Sequence, residues 1–481
     1  MKPQTRPLIF IASSSERAAL EGDCACAYPA TTSPIPMPPT NGLVRLPSGI
    51  IHEEINHEFH VFLSPKSQNG ASVLNQAAVD LLQRLNLPGA CIEQSEDMAD
   101  DLFSQGLLEP LKQETEMENG LRSTTLAAWL HITDRCNFRC TYCYLPHKRE
   151  DMSLETGYAS IASLFRSAAI HNFEKVKIKY AGGEPLLNYP LILALHDYAK
   201  DEAKRLGVEL EEIILSNGSL LTNKIAKELH DLKINLMISL DGFGQYHDTH
   251  RPYAGGGASF QAVSSAVELA IENGITPHIS ITVSGESALG LPTLLEWVLK
   301  RELPFNLNFY RENEFSVNAS NLNMDEEKII NGILKAFDVV REHLPKRSLL
   351  ASVIDRANME QAHTRTCGVG ENYLVFDQHG AVSKCQMQMH KPVASSFSED
   401  PLALVQLDQT GIQNLKADEK DECNTCKWKH WCTGGCPLTS YRASGTYNKK
   451  SPNCNIYKRL FPEALKLEGL RILSTAENSL L

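Results

Sequence analysis

From residue 127 to residue 310 the chain repeats one rhythm. Apolar strands are expected at about 128–133, 176–180, 211–215, 235–240, 277–283 and 305–310. Helical segments fall between them at about 153–170, 190–206, 221–233, 258–273 and 289–301. Parallel neighbours need a crossover, and a helix supplies it. Six β–α units in series therefore predict an α/β fold, a parallel sheet with helices outside. Eight units close a barrel of this kind, so six predict an open, partial one. Chemistry in parallel barrels collects at the C-terminal ends of the strands. The residues just after each strand are therefore the candidates for function.

The first expected strand runs into Asp134-Arg135-Cys136-Asn137-Phe138-Arg139-Cys140-Thr141-Tyr142-Cys143. The cysteine spacing is C-x3-C-x2-C. With 13 cysteines in 481 residues, chance supplies roughly 0.01 such triplets per chain. Three thiolates on one short loop can hold three irons of a 4Fe–4S cube, a cluster type bound by cysteine thiolates. The fourth iron then lacks a local protein ligand and is open to chelation by a small molecule. Zinc is the competing metal, but it prefers four closed N or S ligands, and a lone triplet serves it poorly.

Further pieces follow later strands in order. Gly182-Gly183-Glu184-Pro185 comes after the second, and its glycines are expected to bring backbone close to a ligand. Ser216-Asn217-Gly218 follows the third, and Ser239-Leu240-Asp241-Gly242 ends the fourth. Then comes His247-Asp248-Thr249-His250-Arg251-Pro252, in which Arg251 offers a fork suited to a carboxylate. Each piece alone is weak, since a glycine also suits a plain turn. Together, on successive strand ends, they resemble the radical S-adenosylmethionine (SAM) superfamily. The resemblance implies a partial (β/α)6 TIM-like barrel. Within it, Cys136, Cys140 and Cys143 bind the cluster, and the open iron takes the amino and carboxylate groups of SAM. It also implies Tyr142 near the adenine, Gly182, Gly183, Glu184 and Pro185 around the SAM amino group, and Arg251 at its carboxylate. Ser216, Asn217 and Ser239 would make polar contacts to SAM.

Seven more cysteines lie in the last quarter of the chain. Cys367 and Cys385 come first, with Gly380 five positions before Cys385. Next is Cys423-x2-Cys426-x5-Cys432-x3-Cys436 and, after seventeen intervening residues, Cys454. This spacing resembles the SPASM domain, a cysteine-rich iron–sulfur extension of some radical SAM enzymes. The resemblance implies two auxiliary 4Fe–4S clusters, hence three in all. Cys423, Cys426, Cys432 and Cys454 would hold one, and Cys367, Cys385 and Cys436 the other. Sulfatase-maturing relatives carry an extra cysteine shortly after the first, and residues 368–373 contain none. The second auxiliary cluster therefore has an open iron or a non-cysteine ligand. Two ribbon-type zinc sites are the alternative, which Cys423-x2-Cys426 alone would suit. Lys427, Trp428, Lys429, His430 and Trp431 read as packing and a solvated basic loop, or as tuners of cluster potential.

Upstream, residues 1–45 read as a flexible arm, Pro-rich from Pro29 to Pro39. Residues 46–111 read as a small domain. Ile51, Ile55, Phe59, Val61 and Leu63 suggest strands. Asn75 is placed to cap a helix with Ala78, Leu81, Leu82 and Leu85 on one face. A second helix near 97–105 ends at Gly106. Strands, helices and the Gly106-Leu107-Leu108 exit resemble the winged-helix recognition element of ribosomal-peptide maturases. That resemblance implies leader binding by strand addition. A plain helical cap is the alternative. Residues 112–123 read as a linker, 124–320 as the radical SAM partial barrel, 321–364 as a helical connector and 365–470 as the SPASM domain. Cys24, Cys26 and Cys91 receive no role.

A net charge of −12 gives no electrostatic reason to expect nucleic acid or anionic membrane as a partner. No apolar run approaches the roughly 18 residues of a spanning helix. The patch Leu8 to Ala12 is shorter than a signal-peptide core of about 7–15 residues. A soluble, cytoplasmic protein is expected, and clustered cysteines in that compartment read as metal ligands. The resemblances imply an enzyme that cleaves SAM and oxidises a leader-bearing precursor peptide, forming a thioether or carbon–carbon cross-link. Its electron would come from a low-potential donor such as flavodoxin or ferredoxin. Rivals are a formylglycine-generating sulfatase-maturing enzyme, a small-molecule radical SAM enzyme and a non-catalytic iron–sulfur adaptor. Asp241 and His250 could accept protons, but no catalytic base is assigned.

Overall fold

The computed structural model describes residues 6–12, 43–87, 98–111, 123–316, 322–351 and 353–479. Cys24, Cys26, Cys91, the Pro-rich stretch and nearly all of the expected linker lie outside the described residues.

Six short strands come first: β1 (Ile9–Ile11), β2 (Val44–Arg45), β3 (Ile51–Glu54), β4 (Phe59–Leu63), β5 (Ala71–Asn75) and β6 (Glu109–Pro110). β1, β5, β4 and β3 form an antiparallel sheet in that order, and β2 pairs with β6. Alternation divides this sheet between two cores. Phe62 and Leu74 pack with Ala78, Leu82 and Phe103 of the helices Gln76–Leu85 and Ala99–Ser104. Val61 and Val73 join the larger core, where Gly469 of the long C-terminal helix Cys454–Ser479 lies against Ile55 and Val61. Asn75 caps its helix as expected, accepting from the Ala78 N–H at 3.0 Å. Gly106 ends the second helix at φ +62°, where a Cβ would strike the Lys66 backbone.

The expected rhythm is present. β7 (Thr125–Thr133), β8 (Lys175–Gly182), β9 (Glu209–Ser216), β10 (Asn235–Ser239), β11 (His278–Val283) and β12 (Phe305–Phe309) run parallel in chain order. The helices Leu154–Ile170, Tyr189–Leu206, Asn223–Leu232, Phe260–Glu272 and Leu291–Leu299 connect them. Ser153 and Thr222 start two of these helices by accepting a backbone N–H three residues on. Helices cover the sheet, and every residue of β7 is buried.

The sheet stays open, but it does not stop at β7. β13 (Tyr373–Phe376) adds to β7 in parallel, and β14 (Ala381–Ser383) and β15 (Ala394–Ser395) follow antiparallel. The sequence predicts a separate region from residue 365, yet here it extends the barrel sheet and satisfies the edge of β7. A four-residue apolar run such as Tyr-Leu-Val-Phe carries too little periodicity to show this. The connector contains the helix Glu326–Glu342, capped by Asp325. Among the described residues no helix is long and apolar enough to cross a membrane.

Candidate active site

Cys136, Cys140 and Cys143 open onto a cavity of about 250 Å3 at the C-terminal ends of the barrel strands. Backbone pairing fixes their loop. Arg139 and Thr141 donate N–H groups to the carbonyls of Pro252 and His250, each at 2.9 Å, and Ala254 donates to Asn137 at 2.8 Å. Phe138 meets Tyr253 edge-on at 4.8 Å. Residues 250–254 thus form a strap across the cysteine loop, and the strap carries Arg251 to the cavity wall.

Of the residues expected at SAM, Tyr142, Gly182, Gly183, Ser216, Asn217, Ser239 and Arg251 line this cavity. Glu184 and Pro185 are buried but are not among its lining residues. Glu184 is instead a clamp. It accepts from the Leu186 N–H at 3.0 Å, the Ser216 hydroxyl at 2.8 Å and the Asn217 N–H at 2.7 Å. Burial raises its carboxyl, and those donors offset part of the rise. It therefore joins the ends of β8 and β9.

The glycines are also required by a close approach within the protein. A Cβ at Gly182, which sits at φ +143°, would run into the Thr133 carbonyl, and one at Gly183 into the Arg135 carbonyl. Gly183 and Glu184 donate N–H groups to those same two carbonyls, at 2.7 and 2.8 Å. The close approach is to the protein's own cysteine loop, which the glycines let dock on β8.

Asp241, read in the sequence as a possible proton acceptor, organises the cavity wall. It is fully buried at the end of β10 and accepts the Tyr142 hydroxyl and, at 2.8 Å, the Thr282 N–H. Arg251 donates to the Tyr142 oxygen and lies 3.5 Å from Asp241. Burial works against the Arg251 charge, but Cys140, Tyr142 and Asp241 hold it well above the usual range. The Asp241 N–H points to Nδ1 of His247 at 3.3 Å, and burial lowers that imidazole to about 4. His247 is thus neutral at pH 7. Tyr142 lies 99 residues from Asp241 and 109 from Arg251, so no local motif reveals those contacts.

The C-terminal cysteines fall into two groups. Cys423, Cys426, Cys432 and Cys454 surround one small cavity of about 20 Å3. Cys367, Cys385 and Cys436 surround another of about 20 Å3, together with Arg311 and Arg356. Arg356 and Gln386 line both that cavity and the larger one beside Cys136. Burial pushes the Cys436 thiol up, but Arg311 and Arg356 outweigh it and hold the thiol below its usual range. Arg311 is itself anchored on Asp355 at 2.8 Å, which also accepts the Tyr457 hydroxyl at 2.7 Å. Trp428 and Trp431 are buried, so the loop between Cys426 and Cys432 is largely packing. Lys427 faces Glu53 of β3 at 3.8 Å.

The thiols of Cys136, Cys140 and Cys143 around one cavity are a donor set that fits an iron–sulfur cube. Among the described residues no three Cys, His, Asp or Glu side chains converge tightly enough to hold one metal ion. The thiols stand around spaces instead. Burial pushes Cys136 up to about 11 and Cys143 up to about 12. Cluster binding must therefore displace protons from them.

Comparison with known proteins agrees with this geometry. Residues 130–298 match the Radical SAM superfamily. An uncharacterized protein of Methanocaldococcus jannaschii is 36% identical over 128 residues, covering 26% of this chain and 42% of that one. The Fe-coproporphyrin III synthase of Methanosarcina barkeri is 24% identical over 371 residues, covering 68% of this chain and 87% of that one. The solved structure of native anSMEcpe with bound AdoMet and Cp18Cys peptide superimposes with a TM-score of 0.59 at 20% identity, covering 74% of this chain and 99% of that one. That likeness is one of fold. The barrel and its cysteine loop therefore form a radical SAM domain.

Proposed function

We propose that the chain is a radical SAM peptide maturase with a SPASM-type auxiliary domain. One observation carries the proposal. The cavity beside Cys136, Cys140 and Cys143 shares Arg356 and Gln386 with the three-cysteine group at Cys367, Cys385 and Cys436. A substrate in that cavity would lie between two cluster sites.

In this proposal the three cysteine groups hold three 4Fe–4S clusters, one of them with SAM. Bound SAM and its cluster supply a reductively generated 5′-deoxyadenosyl radical that takes hydrogen from the substrate. The chain's own residues hold and orient. Gly182, Gly183, Ser216, Asn217 and Ser239 offer polar backbone and side-chain groups to SAM. Arg251, held by Asp241, presents a fixed cation to a carboxylate. Arg356 and Gln386 stand where the substrate would face the second cluster. A cluster held by Cys367, Cys385 and Cys436 would supply an electron acceptor there, which suits a net oxidation such as a thioether or carbon–carbon cross-link. The electron that starts the reaction comes from a low-potential donor of the flavodoxin or ferredoxin kind.

The peptide class rests on the first small domain, read as a recognition element for residues 46–111. Its β-sheet can accept an extended peptide as a further strand. The experiment is anaerobic turnover with dithionite, SAM and short peptides encoded beside the gene. The expected result is 5′-deoxyadenosine together with a peptide lighter by two hydrogens. Deleting residues 1–110 should weaken peptide binding at least tenfold and leave peptide-free SAM cleavage nearly unchanged. Undiminished peptide affinity would sink the recognition-element assignment. One observation favours a second reading. A relative aligned over 68% of this chain is a Fe-coproporphyrin III synthase. Turnover of a tetrapyrrole carboxylate with no peptide product would establish that alternative.

A further inference from the structure

We infer that the β5 edge of the small sheet is a docking edge for an extended apolar peptide, and that residues 8–12 of this chain occupy it in cis. The inference rests on the peptide-binding reading of that domain. β1 adds antiparallel to β5, with Ile9 opposite Leu74, Phe10 opposite Val73 and Ile11 opposite Ser72. Asn75, at the end of β5, grips the segment's backbone with both of its amide atoms. Its Oδ1 accepts from the Leu8 N–H at 3.0 Å, and its Nδ2 donates to the Arg6 carbonyl at 2.9 Å. These contacts read main chain, not side chains.

Side-chain selection lies in three places. Phe10 stands edge-on to Phe59 at 6.0 Å. Ala12 is buried in the larger core, and Ile9 packs on the smaller one. Leu8 and Ile11 are exposed. The edge thus fits a sequence that is apolar, then aromatic, then free, then small. Main-chain pairing with pockets for some side chains is the mode of strand addition.

The other edge of the sheet suits such a peptide poorly. β3 presents His52, Glu53 and Glu54, with Lys427 facing Glu53. Charged side chains on an edge oppose apolar strand pairing. The occupant of the β5 edge is short, three residues of strand. A substrate peptide would therefore have to displace β1 and match this edge better than β1 does.

The test uses a fluorescein-labelled synthetic peptide with the sequence of residues 6–12, followed by anisotropy. The reconstituted variant lacking residues 1–12 should bind it at least tenfold more tightly than the full chain. A Phe10→Asp version of the peptide should not bind. If the shortened variant does not fold, a protease site placed between residues 20 and 30 leaves β1 seated until cleavage. The labelled peptide should then exchange into the nicked protein and not into the uncut one. Absent or equal binding to both forms would overturn the inference and make β1 a permanent strand. This readout needs no substrate peptide, so its failure is distinct from failure of the recognition-element reading.

Discussion

The chain builds cysteine sites in two ways. The loop at Cys136, Cys140 and Cys143 borders about 250 Å3 of space, strapped by residues 250–254 and backed by the Glu184 clamp. The groups at residues 367–454 close around about 20 Å3 each. The first architecture has room for a cluster and a second ligand. The others have room for little beyond a cluster. In the proposed function, binding and chemistry belong to the barrel mouth and electron handling to the C-terminal region. Arg356 and Gln386 are where the two meet.

The sharpest break in that comparison is removal of one set of thiols. Replacing Cys136, Cys140 and Cys143 together by alanine should abolish SAM cleavage, as measured by 5′-deoxyadenosine. Next in size is the strap. Asp241→Asn leaves Arg251 buried without its countercharge, which should cost about 3–5 kcal/mol in denaturant unfolding. Acid should act on the same region. The His247 pKa is lowered to about 4 from an ordinary 6.5, so below pH 6.5 the unfolded chain takes a proton that the folded one refuses. Stability should then fall from pH 6.5 toward 4, by up to about 3 kcal/mol. His247→Gln should flatten that slope in thermal scans across the same range.

Gly183→Ala should push the Arg135 backbone away, costing about 1–3 kcal/mol and lowering iron retention at the loop. The smallest effect is expected in the other architecture. Cys436→Ser should lose about four irons per chain yet keep peptide-free SAM cleavage within about twofold. A large loss of cleavage there would erase the division of labour.

Much of the barrel was legible because its strands are buried on both faces. Leu126 to Leu130 of β7 is an unbroken apolar run. The cysteine groups were legible because spacing along the chain survives folding: each set expected together lies around one cavity. What spacing cannot show is distant pairing. Tyr142 and Asp241 are 99 residues apart, and their contact exists only once β7 and β10 share a sheet. The glycines at 182 and 183 were visible, but their partner, the loop backbone at 133–135, was not. β13 escaped because four apolar residues are compatible with several structures. β1 escaped because Leu8 to Ala12 reads as a short apolar patch until β5 is present to pair with it.

In the proposed function three cysteine groups form three iron–sulfur sites and only the barrel site cleaves SAM. The decisive measurement is iron, sulfide and zinc per chain after anaerobic reconstitution. About twelve irons in the parent chain and about eight in the triple alanine variant at residues 136, 140 and 143 are predicted. About four irons accompanied by bound zinc would contradict it, because the C-terminal cysteines would then be structural zinc ligands with no redox part in the reaction.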